Sequence, residues 1–388
     1  MDLNYSPDEA AFRDEVRAWI GVNLPDELRD KVLNYRELSK DDLLSWHKTL
    51  AKKGWIAPHW PKEWGGTDWT VVQRYIFEEE CGAAGCPPIV PFGVRMCAPV
   101  LLRFGTDAQK QRFLPRMYNG EDFWVQGYSE PGAGSDLASL KTRAVRDGDH
   151  YVVTGQKIWT TLGQYGDWIF CLVRTDAKTE KRQDGISFLL VDMKTPGITV
   201  RPIVLLDQSR EVNEVFFDDV KVPAENLVHE ENKGWTVAKF LLGYERMGTG
   251  NIAVCKRELA RVKELAAGAG LSDDPRFGDR LTRVEVELMA LEITNLRFLD
   301  QLRGGRPPGA EVSLLKIKGT EIQQTLTELM MQTAGPLAPI FRPVTPDAPF
   351  DAFTAALFPR YCNVRKATIY AGSNEIQRNI IAKATLGL

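Results

Sequence analysis

The chain has 388 residues, of which 44% are apolar and 26% are charged, and its formal net charge is −3. This length and composition predict a globular protein of two or three domains with a large buried core. The negative charge balance and the lack of a basic run argue against a nucleic-acid surface, and the lack of about eighteen consecutive apolar residues argues against a membrane span.

The first 122 residues are predicted to form an N-terminal α-helical domain. Apolar residues recur at intervals of three and four in "DEAAFRDEVRAWIGVNL" and "DDLLSWHKTLAKKGW". Prolines and glycines in "APHWPKEWGGTDW" interrupt this pattern. The acidic, helix-like start of the chain resembles neither a signal peptide nor a transit peptide, so we expect a cytoplasmic protein.

Residues 123–232 are predicted to form a central antiparallel β-barrel or sandwich. Short runs rich in Val, Ile, Phe and Thr, such as "HYVVTGQKIWTT" and "DWIFCLVRT", are separated by turn signals. Residues 233–388 return to helical spacing in three long segments, which predicts a helical bundle. The expected fold class is therefore α+β and multidomain, with a helical domain, a β domain and a second helical domain.

Cysteine and histidine residues show no spacing typical of a metal site. The six cysteines form no Cys-x-x-Cys pair, and the four histidines form no His-Glu-x-x-His motif. We expect reduced, buried thiols and no metal ion. Spacing alone leaves a Cys–His nucleophile open, although no local signature supports one.

The first motif that suggests chemistry is "WVQGYSEPGAGSD", which runs from Trp124 to Asp136. Its proline and glycines prevent a regular element and expose backbone N–H groups, and Ser129 and Ser135 add hydroxyls. Such a loop suits a polar, phosphate-bearing or heteroaromatic ligand. A plain surface turn between domains explains the composition equally well.

The second motif is "GQKIWTTLG", a predicted strand that ends in Trp159, Thr160 and Thr161. A tryptophan beside hydroxyls can stack on a flat ring while a threonine donates a hydrogen bond to it. Taken by itself, the motif is better explained as a core tryptophan on a sheet.

The third motif, "TIYAGSNEIQRNII", places a Gly-Ser-Asn turn before a new helix. Asn374 and Gln377 fit a helix N-cap pair. A helix start preceded by glycine can bring backbone N–H groups close to a ligand. The residue before the glycine is Ala371, which supplies no reactive side chain.

The three motifs together resemble the acyl-CoA dehydrogenase family over essentially the whole chain. "YSEPGAGSD" is similar to the family's T-E-P-G-x-G-S-D loop, "KIWTT" to its K-x-W-I-T strand and "YAGSNEIQRNII" to its Y-E-G-T-x-x-I-Q-R tail. The resemblance implies a C-terminal four-helix bundle and bound FAD, with hydrogen bonds to the flavin from Ser129 and Thr161 and with Trp159 packed on the ring. The implied cofactor-binding residues are Gln126, Tyr128, Ser129, Ser135, Trp159, Thr160, Thr161, Ser373 and Glu375.

The family's reaction removes an α-proton from an acyl-CoA thioester while a β-hydride passes to flavin N5. In much of the family the base precedes the tail glycine, but here Ala371 stands there and contributes only its backbone N–H, as an oxyanion donor. Isovaleryl- and long-chain-type members instead carry a Glu-Arg pair, which Glu245 and Arg246 match. A solvated helix acid remains the ordinary explanation of Glu245, and Glu375 is the nearest competing acid.

The resemblance also implies a substrate-binding set and a substrate class. Gly243, Gly248 and Gly250 flank Glu245 and remove bulk, which favours a bulky, branched, polycyclic or dicarboxylyl acyl group; close helix crossing explains these glycines equally well. The implied substrate-binding residues are Ser135, Gly243, Tyr244, Arg246 and Gly372.

Family homotetramers clamp each FAD with an R-x-x-F-G stretch and a Q-x-x-G-G-x-G turn from a neighbouring subunit. Here Arg276-Phe277-Gly278 lacks that spacing, and Pro336 replaces a glycine and removes an N–H donor. We therefore expect an α₂β₂ heterotetramer with a homologous small subunit and two FAD, as in pimeloyl-CoA-dehydrogenase-like enzymes. A homotetramer with a rearranged clamp is the alternative.

Three functions on this scaffold were weighed. The leading hypothesis is an acyl-CoA dehydrogenase that passes electrons to an electron-transfer flavoprotein. A flavin oxidase or monooxygenase would react with oxygen instead, and the sequence does not separate these two. A non-catalytic structural subunit is disfavoured because Glu245 and both flavin motifs are retained.

Overall fold

The structure, a computed structural model, describes residues 5–244, 250–306, 308–338 and 352–387. The described chain forms two compact units. The helical unit comprises residues 1–42, 69–88 and 246–388, and the sheet unit comprises residues 43–68 and 89–245.

The described part of the helical unit contains eight α-helices. Two of them start at a capping box: the Ser6 hydroxyl accepts from Glu9 N and the Glu9 carboxylate accepts from Ser6 N, and Thr70 and Gln73 do the same. The helices are α1 (Pro7–Asn23), α2 (Asp26–Leu33), α4 (Val71–Ala84), α8 (Ile252–Gly268), α9 (Pro275–Arg303), α10 (Ser313–Ala334), α11 (Ala352–Val364) and α12 (Asn374–Leu386).

The long C-terminal helices share one apolar core. Leu288, Leu291, Leu315, Leu326 and Met330 are all buried in it. Their spacings of three, four and eleven residues, the last being three turns of a helix, place them on one face of α9 or α10, as the periodicity predicts. The predicted helical bundle is confirmed in the described part of the chain.

The first long C-terminal segment does not form one continuous helix as its periodicity predicts. Helix α7 (Gly234–Tyr244) belongs to the sheet unit, whereas α8 begins at Ile252. Asn251 precedes α8 with a φ of 51°, in the left-handed region, and a residue in that conformation interrupts a helix. Residues 245–249 lie outside the described part.

The sheet unit surrounds an eight-stranded sheet with helices α3 (Lys40–Lys53, which begins in the helical unit), α5 (Ala98–Phe104), α6 (Asp107–Asn119) and α7. A short π-helix, Phe92–Cys97, leads into α5. The strands are β1 (Trp124–Gly127), β2 (Arg143–Asp147), β3 (His150–Thr161), β4 (Trp168–Arg174), β5 (Ile186–Asp192), β6 (Ile198–Ile203), β7 (Val212–Pro223) and β8 (Leu227–Val228).

The sheet is mainly antiparallel, as predicted, but it is not purely so. Its order is β6-β7-β3-β2-β4-β5-β8, and β1 pairs with β4. The β1–β4 and β2–β4 pairings are parallel. We call residues 128–136, which follow β1, the motif loop. The parallel β1–β4 pairing places Gly127, the last residue of β1, opposite Cys171 at the middle of β4, so the motif loop begins there.

Strand β3 carries two irregularities in its pairing with β7. The register shifts between Val153 and Gly155 and again between Lys157 and Thr160. The second shift is a β-bulge, which turns side chains away from the regular alternation of faces. Trp159 lies at this bulge.

The core of the sheet unit is aromatic. Phe170 of β4 stacks on Phe188 of β5 with ring centroids 5.6 Å apart and meets the Tyr128 ring edge-on at 5.8 Å. Both phenylalanines are completely buried. This core therefore supports the motif loop at Tyr128 from below.

Phe170→Ala should lower the free energy of unfolding by about 3–5 kcal/mol, because it leaves a cavity where two aromatic contacts were made. Denaturant titration would measure the loss. Val145→Thr is the control, since Val145 is half exposed on β2 and keeps a β-branched side chain. Equal stability of the two variants would contradict the placement of Phe170 in the core.

Candidate active site

The motif loop that follows β1 closes into a tight turn. Glu130 N donates to Ala133 O at 3.0 Å and Ala133 N donates to Glu130 O at 2.9 Å, so the Pro131-Gly132 pair lies at its tip. A Cβ added at Gly132 or Gly134 would meet no atom within 4 Å. The backbone of the loop tip is therefore open to a ligand.

A buried ion pair joins this loop to strand β3. Lys157 Nζ lies 2.8 Å from Glu130 Oε1 and donates to the carbonyls of Tyr128 and Leu172 at 3.2 and 2.6 Å. The Lys157 side chain has no exposed surface. Three acceptors from the motif loop and strand β4 surround the ammonium group. Lys157 therefore ties the loop and strand β4 to its own strand, β3, at one point.

The Glu130 carboxylate is satisfied from two sides. Besides Lys157, it accepts from the backbone N–H groups of Lys141 at 2.6 Å and Thr142 at 2.9 Å. Burial opposes its ionisation, but the ammonium group and these donors outweigh burial and hold the pKa of Glu130 below its ordinary value. For Lys157, burial lowers the pKa, and the neighbouring carboxylate opposes that shift.

Trp159 is exposed and strained rather than buried in the core. Its φ is 62°, in the left-handed region, and 54% of its surface is accessible. A bulky residue in this conformation costs free energy and is retained where the surrounding structure over-determines it. The interpretation of Trp159 as a core residue is therefore wrong, and its ring is presented outside the sheet.

The loop and the bulge are adjacent. Ile158 N donates to Ser129 O at 2.9 Å, which places the Ser129 backbone one residue from Trp159. Ser129 and Thr161 are half-buried. An exposed flat indole with hydroxyls and open loop amides beside it fits a heteroaromatic ring with polar edges, such as a flavin.

Thr160 faces the opposite way from Trp159. Its side chain is buried, and its hydroxyl has no hydrogen-bond partner among the described residues. Asn213 Nδ2 donates to the Thr160 carbonyl at 3.1 Å and to Gln164 Oε1 at 2.6 Å. Thr160 therefore supports the bulge from inside the sheet unit.

The other sequence-predicted residues of this motif lie along the same loop. Gln126 is half-buried on β1, Tyr128 is buried, and Ser135 is exposed beyond the turn. The two residues that hold the loop, Glu130 and Lys157, were not singled out from the sequence. A lysine within a run of apolar strand residues was the available signal for Lys157.

The tail motif lies in the helical unit. Ala371 and Gly372 have φ values of 53° and 78°, so two successive residues adopt the left-handed conformation. Among the described residues, the Ala371 N–H donates no hydrogen bond. This exposed turn therefore offers a free backbone donor.

The helix cap at this turn differs from the predicted one. Helix α12 begins at Asn374, and its N-cap is Ser373, whose Oγ accepts from Ile376 N at 3.3 Å. Asn374 and Gln377 are buried instead, and Gln377 Nε2 donates to Gly372 O at 3.4 Å. The prediction of an Asn374 cap is wrong because a serine directly before it has the same capping chemistry.

Glu375 has poor properties for a general base. Its side chain is 76% exposed. Hydrogen bonds from its own backbone N–H and from Ser373 lower its pKa, so it stays ionised in water and is a weak proton acceptor. The exposure and the lowered pKa favour a different acid as the base.

The predicted acid–arginine pair, Glu245 and Arg246, lies outside the described residues, as does Gly248. Gly243 and Tyr244 form the end of α7. The next described residue, Gly250, packs against helix α10: a Cβ added at Gly319 would lie 2.6 Å from Gly250 O. The crossing therefore requires a glycine at position 319, whereas a Cβ added at Gly250 would meet its nearest atoms at an ordinary 3.6 Å, so the crossing leaves the glycine at 250 unexplained.

Thiol and metal chemistry find no support in the described part of the chain. Burial raises the pKa of Cys171 and of Cys255 to about 12, so both thiols stay protonated. The described residues contain no cluster of three or more His, Cys, Asp or Glu side chains able to hold a metal ion. None of the described helices is both long and apolar enough to cross a membrane.

Comparison with known families accounts for nearly the whole chain. Profiles of the acyl-CoA dehydrogenase N-terminal, middle and C-terminal domains match residues 6–121, 126–220 and 232–386. Acyl-CoA dehydrogenase IpdE1 of Mycobacterium tuberculosis is 40% identical over 390 residues, which cover 98% of each chain. Acyl-CoA dehydrogenase FadE26 of the same organism is 34% identical and covers 100% of this chain and 99% of its own.

Solved structures are similar over the same length. The Tcur3481-Tcur3483 steroid ACAD has a TM-score of 0.86 at 31% identity, covering 100% of this chain and 99% of that chain. The ChsE4-ChsE5 complex from Mycobacterium tuberculosis has a TM-score of 0.83 at 34% identity, with the same coverage.

Glu130→Gln should lower the free energy of unfolding by about 3–5 kcal/mol at neutral pH, because it leaves the Lys157 ammonium buried without its counter-charge. The folded-state pKa of Glu130 is depressed, so its contribution is complete above the ordinary value of 4.5 and is lost as the pH falls below it. Denaturant titrations from neutral to acidic pH would measure both effects.

The matched control for this prediction is Glu225→Gln, which removes a largely exposed carboxylate that pairs with Arg112 in the same unit. Its effect should stay below about 1 kcal/mol. A Glu130→Gln effect as small as that of the control would show that the buried pair does not hold the loop.

Proposed function

Because the chain belongs to the acyl-CoA dehydrogenase family, we propose that it binds FAD and removes the α and β hydrogens of an acyl-CoA thioester. The observation that carries the proposal is the strained, exposed Trp159, held beside the open Ser129 loop by the Ile158–Ser129 hydrogen bond. A buried tryptophan would have supported an ordinary sheet core instead.

In the sheet unit, the chain's own residues bind and orient the flavin ring. Trp159 packs on the ring, and the hydroxyls of Ser129 and Thr161 hydrogen-bond its polar edge. The Lys157–Glu130 pair keeps these groups in place before the ligand arrives, which reduces the ordering cost of binding. Bound FAD supplies the acceptor for the β-hydride.

In the helical unit, the tail turn stabilises charge on the substrate. Removing an α-proton places negative charge on the thioester oxygen, and an unoccupied backbone N–H aimed at that oxygen lowers the barrier. The Ala371 N–H has no acceptor within the described chain and is exposed. An alanine side chain at this position leaves the donor accessible and contributes no acid of its own.

Glu245 is proposed as the base that removes the α-proton. The family pattern needs a carboxylate, Ala371 cannot supply it, and the exposed Glu375 with its lowered pKa is unsuited to it. Bound thioester would desolvate the Glu245 carboxylate and raise its pKa towards the working range. Arg246, Gly243, Tyr244, Gly372 and Ser135 are proposed to line the substrate.

The proposed substrate is a bulky acyl-CoA, and a steroid-derived acyl group is the first class to test. A solved structure with 31% identity over the whole chain is a steroid ACAD. Gly243, near the end of α7 and two residues before Glu245 in the sequence, carries no side-chain bulk, at a cost of about 1 kcal/mol relative to alanine in a helix. Binding of a wide acyl group would explain why a glycine is present there despite this cost.

The chain is further proposed to act as one subunit of an α₂β₂ heterotetramer that passes electrons to an electron-transfer flavoprotein. Phe277 of the degenerate clamp stretch is buried in the helical core, and the exposed Asp274 caps α9 beside it, which places a carboxylate where an anionic pyrophosphate needs a cation. Pro336 follows α10 without an N–H donor. Two similar solved structures carry paired names, Tcur3481-Tcur3483 and ChsE4-ChsE5.

Glu245→Gln should leave folding and flavin content unchanged but reduce anaerobic flavin bleaching by an acyl-CoA panel at least 100-fold, since the amide accepts no proton. Stopped-flow absorbance would measure the rate. Ala371→Glu in the Glu245→Gln background should restore part of it.

Glu264→Gln is the control for the base assignment, because Glu264 is a largely exposed acid on α8. It should bleach at the wild-type rate. Wild-type rates in Glu245→Gln as well would exclude Glu245 as the base.

The heterotetramer is tested by producing this chain alone and together with a candidate small subunit. We expect flavin-poor protein alone and an α₂β₂ complex with two FAD when the partner is present, measured by light scattering and flavin absorbance. A homotetramer with one substrate-reducible FAD per chain would contradict the proposal.

A further inference from the structure

One face of helix α10 lies against two other segments of the helical unit. We define this anchor face by three buried residues, Lys316 and, one turn later, the adjacent Gly319 and Thr320. Helix α12 and the segment at Gly250 both contact it. The sequence analysis singled out none of these three residues.

The first contact is between backbones. A Cβ added at Gly319 would lie 2.6 Å from Gly250 O and 2.7 Å from Gly250 Cα, closer than side-chain atoms pack. Only glycine at position 319 allows the chain to pass α10 at this distance. Gly250 follows the proposed base Glu245 by five residues in the sequence. This crossing therefore fixes the chain five residues after the proposed base.

The second contact is a buried polar network. Lys316 Nζ donates to Asn374 Oδ1 at 3.0 Å, and Asn374 Nδ2 donates to Thr320 Oγ1 at 3.2 Å. Thr320 Oγ1 in turn donates to the Lys316 carbonyl at 2.9 Å. All three side chains are buried, so a lost partner cannot be replaced readily by bulk water.

This network reaches the tail turn directly. Asn374 is the first residue of α12, and the strained Ala371-Gly372 pair precedes it by only two to three residues. On the far side, Gln377 Nε2 donates to Gly372 O. The left-handed turn is therefore held between one buried side chain of its own helix and the anchor face of α10.

The hydrogen bond from Lys316 to Asn374 does not require a charged side chain. Burial lowers the pKa of Lys316 to about 8, and the Glu375 carboxylate partly opposes this shift. Both the ammonium form and the neutral amine have an N–H to donate to Asn374. The hydrogen bond, rather than the charge, is the feature that both forms share.

The geometry points to Lys316, Gly319 and Thr320 as positioning residues. The anchor face of α10 that they form fixes two features: the crossing at Gly250, and the tail turn Ala371-Gly372, which presents the Ala371 N–H. The inference rests on the proposed function for its catalytic consequence. Its structural content, a turn held by α10, is independent of that function.

The test compares Lys316→Met and Asn374→Ala with the control Lys318→Met, which alters an exposed lysine of the same helix. The full chain is used, with its partner subunit if one is required. Amide hydrogen exchange of the peptide spanning residues 371–377 reports on the turn without any activity measurement. A steady-state assay separates kcat from KM.

We expect Lys316→Met and Asn374→Ala to speed exchange at residues 371–377 by about tenfold or more, with other helices unchanged. We also expect kcat to fall about 10- to 100-fold with little change in KM, as for a misplaced catalytic group. The double variant should be no worse than Asn374→Ala alone, because Asn374→Ala already removes the contact with Lys316.

Gly319→Ala tests the crossing in the same way, with faster exchange expected at residues 250–256. Its matched control is Gly21→Ala in α1, where an added Cβ would meet nothing within 4 Å. If Gly319→Ala fails to fold, the Lys316 and Asn374 variants still decide the inference.

Unchanged exchange at residues 371–377 in Lys316→Met, or exchange that rises equally in every helix, would overturn the positioning role. Absence of any thioester-dependent flavin reduction in the wild type would refute the proposed function instead. The exchange result would stand in that case, so the two failures are distinguishable.

Discussion

The sheet-unit site depends on one buried interaction, the ion pair between Lys157 and Glu130. A fully buried ammonium group is tolerable only while its acceptors surround it, and here the Glu130 carboxylate and the Tyr128 and Leu172 carbonyls do so. Moving the loop would leave the Lys157 ammonium group buried without its acceptors. The pair therefore holds the loop beside the bulge that exposes Trp159, and it does so before any ligand is bound.

Both units contain a strained, exposed residue with a buried lysine beside it. Each presents a non-glycine residue in the left-handed conformation, Trp159 in one and Ala371 in the other. Such residues cost of order 1–3 kcal/mol and persist only where neighbours over-determine them. In each unit a buried lysine supplies part of that support, Lys157 behind the bulge and Lys316 behind the tail turn. Strain at the exposed residue is thus offset by buried polar contacts beside it.

The sequence predicts the regular parts of this structure better than the site itself. Helices α9 and α10 follow from apolar periodicity, whereas strand β1 and the charged strand β2 are too short to show one. The bulge at Trp159 adds a residue that alternation cannot register, so the strand motif by itself favours a core tryptophan, and only the family resemblance places the ring on a flavin. Glu130 and Lys157 meet only after folding, 27 residues apart along the chain. Motif resemblance supplied the candidate groups, and backbone geometry showed which are presented and which are buried.

The proposed reaction of this chain is the dehydrogenation of a bulky acyl-CoA thioester at its α and β carbons, with FAD as acceptor. Its most direct test is an anaerobic titration of the flavin-bearing protein with steroid-derived and straight-chain acyl-CoAs, with mass spectrometry of the recovered thioester. The account predicts one equivalent of flavin reduced for each thioester that loses two hydrogens, with the bulky acyl group preferred. A flavin that stays oxidised with every thioester, or thioesters recovered with unchanged mass, would contradict it.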